Sequence, residues 1–99
     1  MNAKLHGESV DYLFKAILSL QSVEECYMFF EDLCTVPELK AMSQRMSVAR
    51  MLQDKKVYSE IVAETGASTA TISRVKRSFD YGSDGYELVF GRLKEKEEE

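Results

Sequence analysis

The sequence predicts an all-α protein, and three observations support this fold class. Apolar residues recur at helical spacing, most clearly at Val10, Leu13, Phe14, Ile17 and Leu18. Helix-start signals precede several of the apolar segments. The chain also contains one proline and little of the alternation of apolar and polar residues that is typical of strands. Its 99 residues are too few to divide, so a single domain is expected.

Two capping boxes predict where the second and third helices begin. Ser22 is followed three residues later by Glu25, and Thr35 is followed by Glu38 at the same spacing. In such a pair the hydroxyl and the carboxylate each accept a free backbone N–H of the first turn. Pro37 falls in the first turn of the third helix, where its missing N–H costs nothing.

The first three predicted helices, residues 8–53, are rich in apolar side chains. So much apolar helix surface in a small chain indicates a partner subunit, and we expect these helices to dimerise. The second helix has a stripe made of Val23, Cys26, Tyr27, Phe30, Leu33 and Cys34, with Phe29 beside it. The third helix extends to about Gln53 and has an inner face made of Leu39, Met42, Met46, Ala49 and Leu52.

Residues 58–79 have the pattern of a helix-turn-helix. A short helix starting at Tyr58 reaches Gly66, a residue that tolerates the positive φ of a helix stop. Ser68 then offers an N-cap for a second helix, in which Ile72 and Val75 share one face. In this motif the second helix enters the major groove of DNA.

The second helix of the motif has a composition suited to DNA. Its first turn, Thr69–Thr71, is small, so the backbone can approach base edges, and its hydroxyl and methyl groups can contact bases. Basic residues follow at Arg74, Lys76 and Arg77, and no acidic residue lies between Thr65 and Phe79. The alternative is a core helix pair whose basic side chains only solvate the outer face.

The end of the chain is acidic, whereas the predicted recognition helix is cationic. Turn-forming residues at Asp80–Gly85 precede a last helix and a charged tail, together residues 85–99, and we expect the tail to fray. The net charge of −4 argues against a protein that binds nucleic acid indiscriminately. It still permits docking through a local basic patch.

Other classes of protein receive little support. The one histidine, His6, has no nucleophile or metal-binding cluster beside it, so neither a catalytic site nor a metal site is predicted. Cys26 and Cys34 are predicted to be buried reduced thiols. No apolar run approaches the roughly 20 residues of a membrane helix, and no signal segment is evident, so a cytoplasmic location is expected.

The order of these elements resembles the Trp repressor superfamily, and most closely its Trp-repressor-like YerC/YecD branch. The likeness rests on CTVPELKAMSQR at Cys34–Arg45 and on ETGASTATISRVKR at Glu64–Arg77, and EECYMFFEDLC at Glu24–Cys34 points to the branch. The resemblance implies an intertwined homodimer that presents two recognition helices to palindromic double-stranded DNA. The function predicted is therefore transcriptional regulation, in particular repression.

The resemblance also assigns roles to individual residues. With the basic residues and the N-cap of the motif, the predicted DNA-contacting set is Tyr58, Ser59, Ser68, Thr69, Ala70, Thr71, Ser73, Lys76 and Arg77. The positions that hold tryptophan in the repressor correspond to Thr35, Arg45, Arg74 and Ser78, and they imply an amino-acid effector. The repressor pattern has glycine directly after the second arginine. Val75 stands there in this chain and could fill the space of an indole ring.

Two alternatives remain open at this point. Arg45 and Arg74 could instead form ion pairs with acidic residues such as Glu38 or Glu60 and stabilise the fold. The whole chain could be a helical protein-interaction module that never touches DNA, which the acidic total and the aromatic last helix would suit.

Overall fold

The computed structural model describes residues 3–98, which are helical apart from short connections and contain no strand. The predicted all-α class with six helices is confirmed. A single 3₁₀ turn, Ala3–Leu5, precedes α1 (Glu8–Leu18), α2 (Val23–Leu33), α3 (Val36–Gln53), α4 (Tyr58–Thr65), α5 (Thr69–Tyr81) and α6 (Gly85–Glu98). The chain forms two compact units, Met1–Lys40 and Ala41–Glu99, and the boundary falls within α3.

The predicted capping box at Thr35 is formed, and at Ser22 the hydroxyl caps α2 as predicted while the Glu25 carboxylate binds the residue before the cap. The Ser22 hydroxyl accepts the Glu25 N–H at 3.1 Å, and the Glu25 carboxylate accepts the N–H of Gln21 at 2.9 Å. At the start of α3 the Thr35 hydroxyl accepts the Glu38 N–H at 3.2 Å, and the Glu38 carboxylate accepts the Thr35 N–H at 2.8 Å. The backbone N–H and then the hydroxyl of Thr35 hold the pKa of Glu38 below its ordinary value, because both interactions favour the carboxylate.

The N-terminal unit has apolar helices but no interior of its own. None of its described residues is buried, and several large apolar side chains are mostly exposed, including Tyr12 (78%), Leu18 (83%) and Val23 (73%). Cys26 and Cys34 are free thiols, and both are half-buried where burial was predicted. This much exposed apolar surface is unusual for a monomer.

The C-terminal unit contains the hydrophobic core. Its buried members come from α3, α4, α5 and the turn before α5: Val48, Ala49, Ile61, Ala67, Ile72 and Val75. Of the predicted inner face of α3, Ala49 is buried and Met46 is half-buried, but Met42 is 36% exposed. Val48, which lies off that face, is fully buried. The side of α3 that becomes the interior is therefore set by α4 and α5.

Helices α5 and α6 are longer than the sequence suggests. Asp80 and Tyr81 lie in α5, where turn residues were predicted. The Asp80 carboxylate binds the Lys76 ammonium one turn earlier, which stabilises the helical conformation. Helix α6 continues into the charged segment as far as Glu98, because lysine and glutamate are strong helix formers. The fraying of the tail stays a prediction, and Glu99 lies outside the described residues.

Residues 3–98 contain neither a membrane-spanning helix nor a metal-binding group of side chains. No helix in that range is both long and apolar enough to cross a membrane. No group of three or more histidine, cysteine, aspartate or glutamate side chains in the same range is arranged to hold a metal ion.

Candidate nucleic-acid interface

The turn that joins α4 to α5 has the geometry predicted from Gly66. This residue has φ of 70°, a left-handed conformation that glycine adopts without a steric penalty, and its N–H donates to the Val62 carbonyl. Helix α5 starts only three residues later, at Thr69. The first helix of the motif therefore ends and the second begins within a very short segment.

Ser68 caps the start of α5, as predicted. Its hydroxyl accepts the Thr71 N–H at 3.1 Å, and the hydroxyls of Ser68 and Thr71 are also hydrogen-bonded at 3.1 Å. Thr71 is half-buried, whereas Thr69 and Ala70 are exposed. The hydroxyls of Ser68 and Thr71 are thus already engaged in a hydrogen bond within the protein. Thr69 and Ala70 are the side chains of this turn that are more available to contact DNA.

Helix α5 has one buried face and one face open to solvent. Ile72 is fully buried and Val75 is only 3% exposed. Because these residues are three apart, they occupy one side of the helix, and the opposite side points away from the core. The exposed residues of α5 that belong to the predicted DNA-contacting set are Thr69, Ala70, Ser73, Lys76 and Arg77.

The basic residues of α5 differ in how available their charges are. The Lys76 ammonium binds the Asp80 carboxylate at 3.0 Å, an interaction that raises the pKa of Lys76. The side chains of Arg74 and Arg77 are exposed and have no ion pair or hydrogen bond within residues 3–98. An exposed ion pair is weak and readily exchanged, so all three cations can face a phosphate.

The start of α4 offers backbone donors beside the same motif. Tyr58 and Ser59 form the first turn of α4 and are exposed, and no side chain caps this turn at Val57. Uncapped N–H groups at a helix start are favourable partners for phosphate oxygens. This arrangement suits the predicted contact of Tyr58 and Ser59 with the DNA backbone.

The residues predicted to hold an effector come from both units of the chain. Thr35 lies in the N-terminal unit and contributes to the capping box of α3. Arg45, Arg74 and Ser78 are exposed residues of the C-terminal unit. Neither arginine has an ion pair within residues 3–98, so their guanidinium groups are available to a carboxylate. Val75 is part of the hydrophobic core, and its side chain occupies the inner side of α5.

One groove of the C-terminal unit lies between α3 and α6. It has a volume of about 970 Å³ and includes Met46, Arg50, Phe90 and Leu93 in its lining. None of the residues predicted to hold an effector lines it.

One contact in this region could not be predicted from the sequence. The side-chain amide of Gln44, on α3, donates to the carbonyl of Thr65 at the end of α4 at 3.1 Å. The two residues are 21 positions apart, and a polar residue on a helix gives no indication of a partner so distant in sequence. The only feature of the sequence that could have pointed to this contact is the position of Gln44 next to the predicted inner face of α3.

Comparison with known proteins agrees with this geometry. The sequence pattern of the Trp repressor protein family matches residues 8–94. YerC of Bacillus subtilis strain 168, described as uncharacterized, is 56% identical over 96 residues, which cover 97% of this chain and 92% of YerC. A solved TrpR-like protein from Eubacterium eligens is 55% identical with a TM-score of 0.91, covering 94% of this chain and 96% of the other. A crystal structure from Staphylococcus aureus, provisionally assigned as a Trp repressor, is 53% identical with a TM-score of 0.89, covering 92% and 91%.

Proposed function

Because the chain belongs to the Trp repressor family, we propose that it is a sequence-specific DNA-binding transcriptional regulator. In this proposal it acts as a homodimer and represses by occluding promoter DNA at a palindromic operator. Each copy inserts α5 into a major groove, so the two half-sites lie about one helical turn apart.

The observation that carries the proposal is the outward face of α5. Ile72 and Val75 anchor the helix on its inner side, while small polar side chains and three cations occupy the exposed side. Thr69 and Ala70 allow close approach to base edges at the start of the helix. Lys76 and Arg77 follow along the helix and would neutralise phosphates.

The direct test is selection of bound duplexes from genomic fragments or from a random-sequence library. We expect one short palindromic site to be enriched, with an affinity in the range of roughly 10⁻⁸–10⁻¹¹ M. Its affinity should fall steeply with salt because each phosphate contact releases counterions. Absence of any enriched duplex would contradict the proposal and favour the protein-interaction alternative.

The same selection tests whether an effector exists. Thr35, Arg45, Arg74 and Ser78 remain the proposed residues for an amino-acid effector, and the core position of Val75 argues against an indole ring there. Repeating the selection with a panel of amino acids would identify an effector by a change in occupancy. Occupancy that is the same with every amino acid would contradict effector binding and leave the DNA-binding role in place.

The homodimer is supported by the N-terminal unit. Its helices expose large apolar side chains and bury none, so we propose that a second copy covers them. A two-fold dimer also provides the two recognition helices that a palindromic operator requires.

Leu18→Glu is expected to weaken the dimer, because it places an unpaired charge in the proposed apolar interface. Leu18 is 83% exposed in the single chain, so its replacement does not disturb an existing core. Loss of its burial alone would raise the dissociation constant more than about tenfold. Sedimentation equilibrium measures this, and Ser9→Glu, at an exposed polar position of α1, is the control. A wild-type chain that sediments as a monomer would contradict the homodimer.

A further inference from the structure

The turn of the helix-turn-helix is fastened to α3 by a side-chain hydrogen bond. Gln44 Nε2 donates to the backbone oxygen of Thr65 at 3.1 Å, and both residues are half-buried. The hydrogen bonds that cap α2, α3 and α5 join residues three apart, so each of them organises only its own helix end. The Gln44 bond spans 21 residues and connects two different helices.

Thr65 is the point at which this turn is organised. Its carbonyl belongs to the last turn of α4, where intrahelical donors run out, and it accepts the Gln44 amide instead. Its hydroxyl donates to the Ile61 carbonyl at 2.7 Å and accepts the Ala67 N–H at 3.1 Å. Ala67 is itself 2% exposed. Gln44 is therefore hydrogen-bonded to Thr65, and Thr65 is hydrogen-bonded to Ala67 in the segment that leads to α5.

We propose that Gln44 is a positioning residue for the recognition helix. The apolar contacts of Ile72 and Val75 keep α5 on the core, but apolar burial is non-directional and tolerates small rotations and shifts. A hydrogen bond is directional, so the Gln44 bond fixes the end of α4 and, through the short turn, the start of α5. This inference rests on the proposed function, because the direction of α5 matters most where side chains must meet base edges.

Two substitutions of Gln44 and two matched controls test the proposal. Gln44→Met has similar length and no donor, and Gln44→Glu has the same shape but a carboxylate that only accepts. Gln53→Met and Gln53→Glu make the same changes at an exposed position at the end of α3. The Gln53 pair therefore controls for side-chain type and for net charge on the same helix.

The first readout is the ratio of affinities for two duplexes: the one selected by the wild-type protein and a scrambled duplex of equal length at low salt. We expect both Gln44 variants to lower this ratio about tenfold, the effect of one lost hydrogen bond with its acceptor left unpaired. Both Gln53 variants should keep it within about twofold. Simple loss of stability would lower both affinities equally, since only folded protein binds either duplex, and would leave the ratio unchanged.

The second readout needs no DNA. Amide hydrogen exchange at Ala67 should become about tenfold faster in Gln44→Met, because the Thr65 hydroxyl that accepts the Ala67 N–H is held less firmly. Exchange at Val48 should stay the same. Unchanged Ala67 exchange, or an unchanged affinity ratio in variants that bind DNA, would overturn the positioning role. If the wild-type protein selects no duplex, the proposed function fails, and Ala67 exchange alone decides whether Gln44 positions the turn.

Discussion

Ala70→Glu is expected to abolish specific DNA binding while the protein remains folded. Ala70 is exposed in the first turn of α5, the part of a recognition helix that lies closest to base edges. A carboxylate there would face the negative charge of the DNA and remove the close approach that alanine allows. Like-charge juxtaposition of this kind costs several kcal/mol, so the affinity for the selected duplex should fall by roughly 100-fold or more.

The same substitution should not weaken the helix. A glutamate in the first turn interacts favourably with the positive end of the helix dipole, by about 0.3–1 kcal/mol, so the melting temperature should stay the same or rise slightly. Fluorescence anisotropy with the selected duplex and thermal unfolding by circular dichroism measure the two effects separately. Ser83→Glu, which makes the same charge change in the exposed loop between α5 and α6, is the control.

The two variants together decide whether α5 is the DNA-binding helix. Loss of affinity in both would indicate a general effect of negative charge rather than a contact made by α5. Wild-type affinity in Ala70→Glu would show that a different surface binds DNA. Only loss in Ala70→Glu with retention in Ser83→Glu supports the proposed interface.

Ile72→Ala is expected to cause the largest loss of stability among single substitutions of α5. Ile72 is fully buried in a core that has few fully buried members, so neighbouring side chains cannot readily fill the space that it leaves. Truncation of a buried isoleucine costs about 2–5 kcal/mol, a large part of the roughly 5–15 kcal/mol that stabilises a typical domain. DNA binding should fall as well, because Ile72 attaches α5 to the core.

Urea unfolding at several protein concentrations measures this loss, since a dimer would unfold in a concentration-dependent way. Val62→Ala is a matched control, because Val62 is a β-branched residue of α4 that is 38% exposed. The substitution Val62→Ala should lower the free energy of unfolding by less than about 1 kcal/mol. Equal effects of the two substitutions would mean that Ile72 does not have the central position in the core that its burial indicates.

Much of this fold could be predicted from the sequence because its helix boundaries depend on neighbouring residues. The hydroxyls of Ser22, Thr35 and Ser68 cap α2, α3 and α5 through N–H groups three residues ahead. Gly66 ends α4 because it adopts a left-handed conformation without steric cost. Each of these signals acts within one helical turn, so the local sequence alone determines it.

The candidate interface was only partly predictable. The exposure of Thr69, Ala70 and Arg77 follows from the helical spacing of Ile72 and Val75, which is visible in the sequence. Residue types alone could not tell whether the hydroxyls of Ser68 and Thr71 form hydrogen bonds within the protein or are free to contact DNA. The roles assigned to individual residues at the DNA and at an effector site remain predictions.

The helical class, the caps and the turn at Gly66 follow from local sequence, since propensity and capping are short-range effects. The burial of Val48 rather than Met42 on α3 depends on where α4 and α5 pack, so it is a property of the folded chain. The same is true of the hydrogen bond from Gln44 to Thr65. A hydrogen bond between residues 21 positions apart exists only after the helices have been brought together, and no local pattern encodes it.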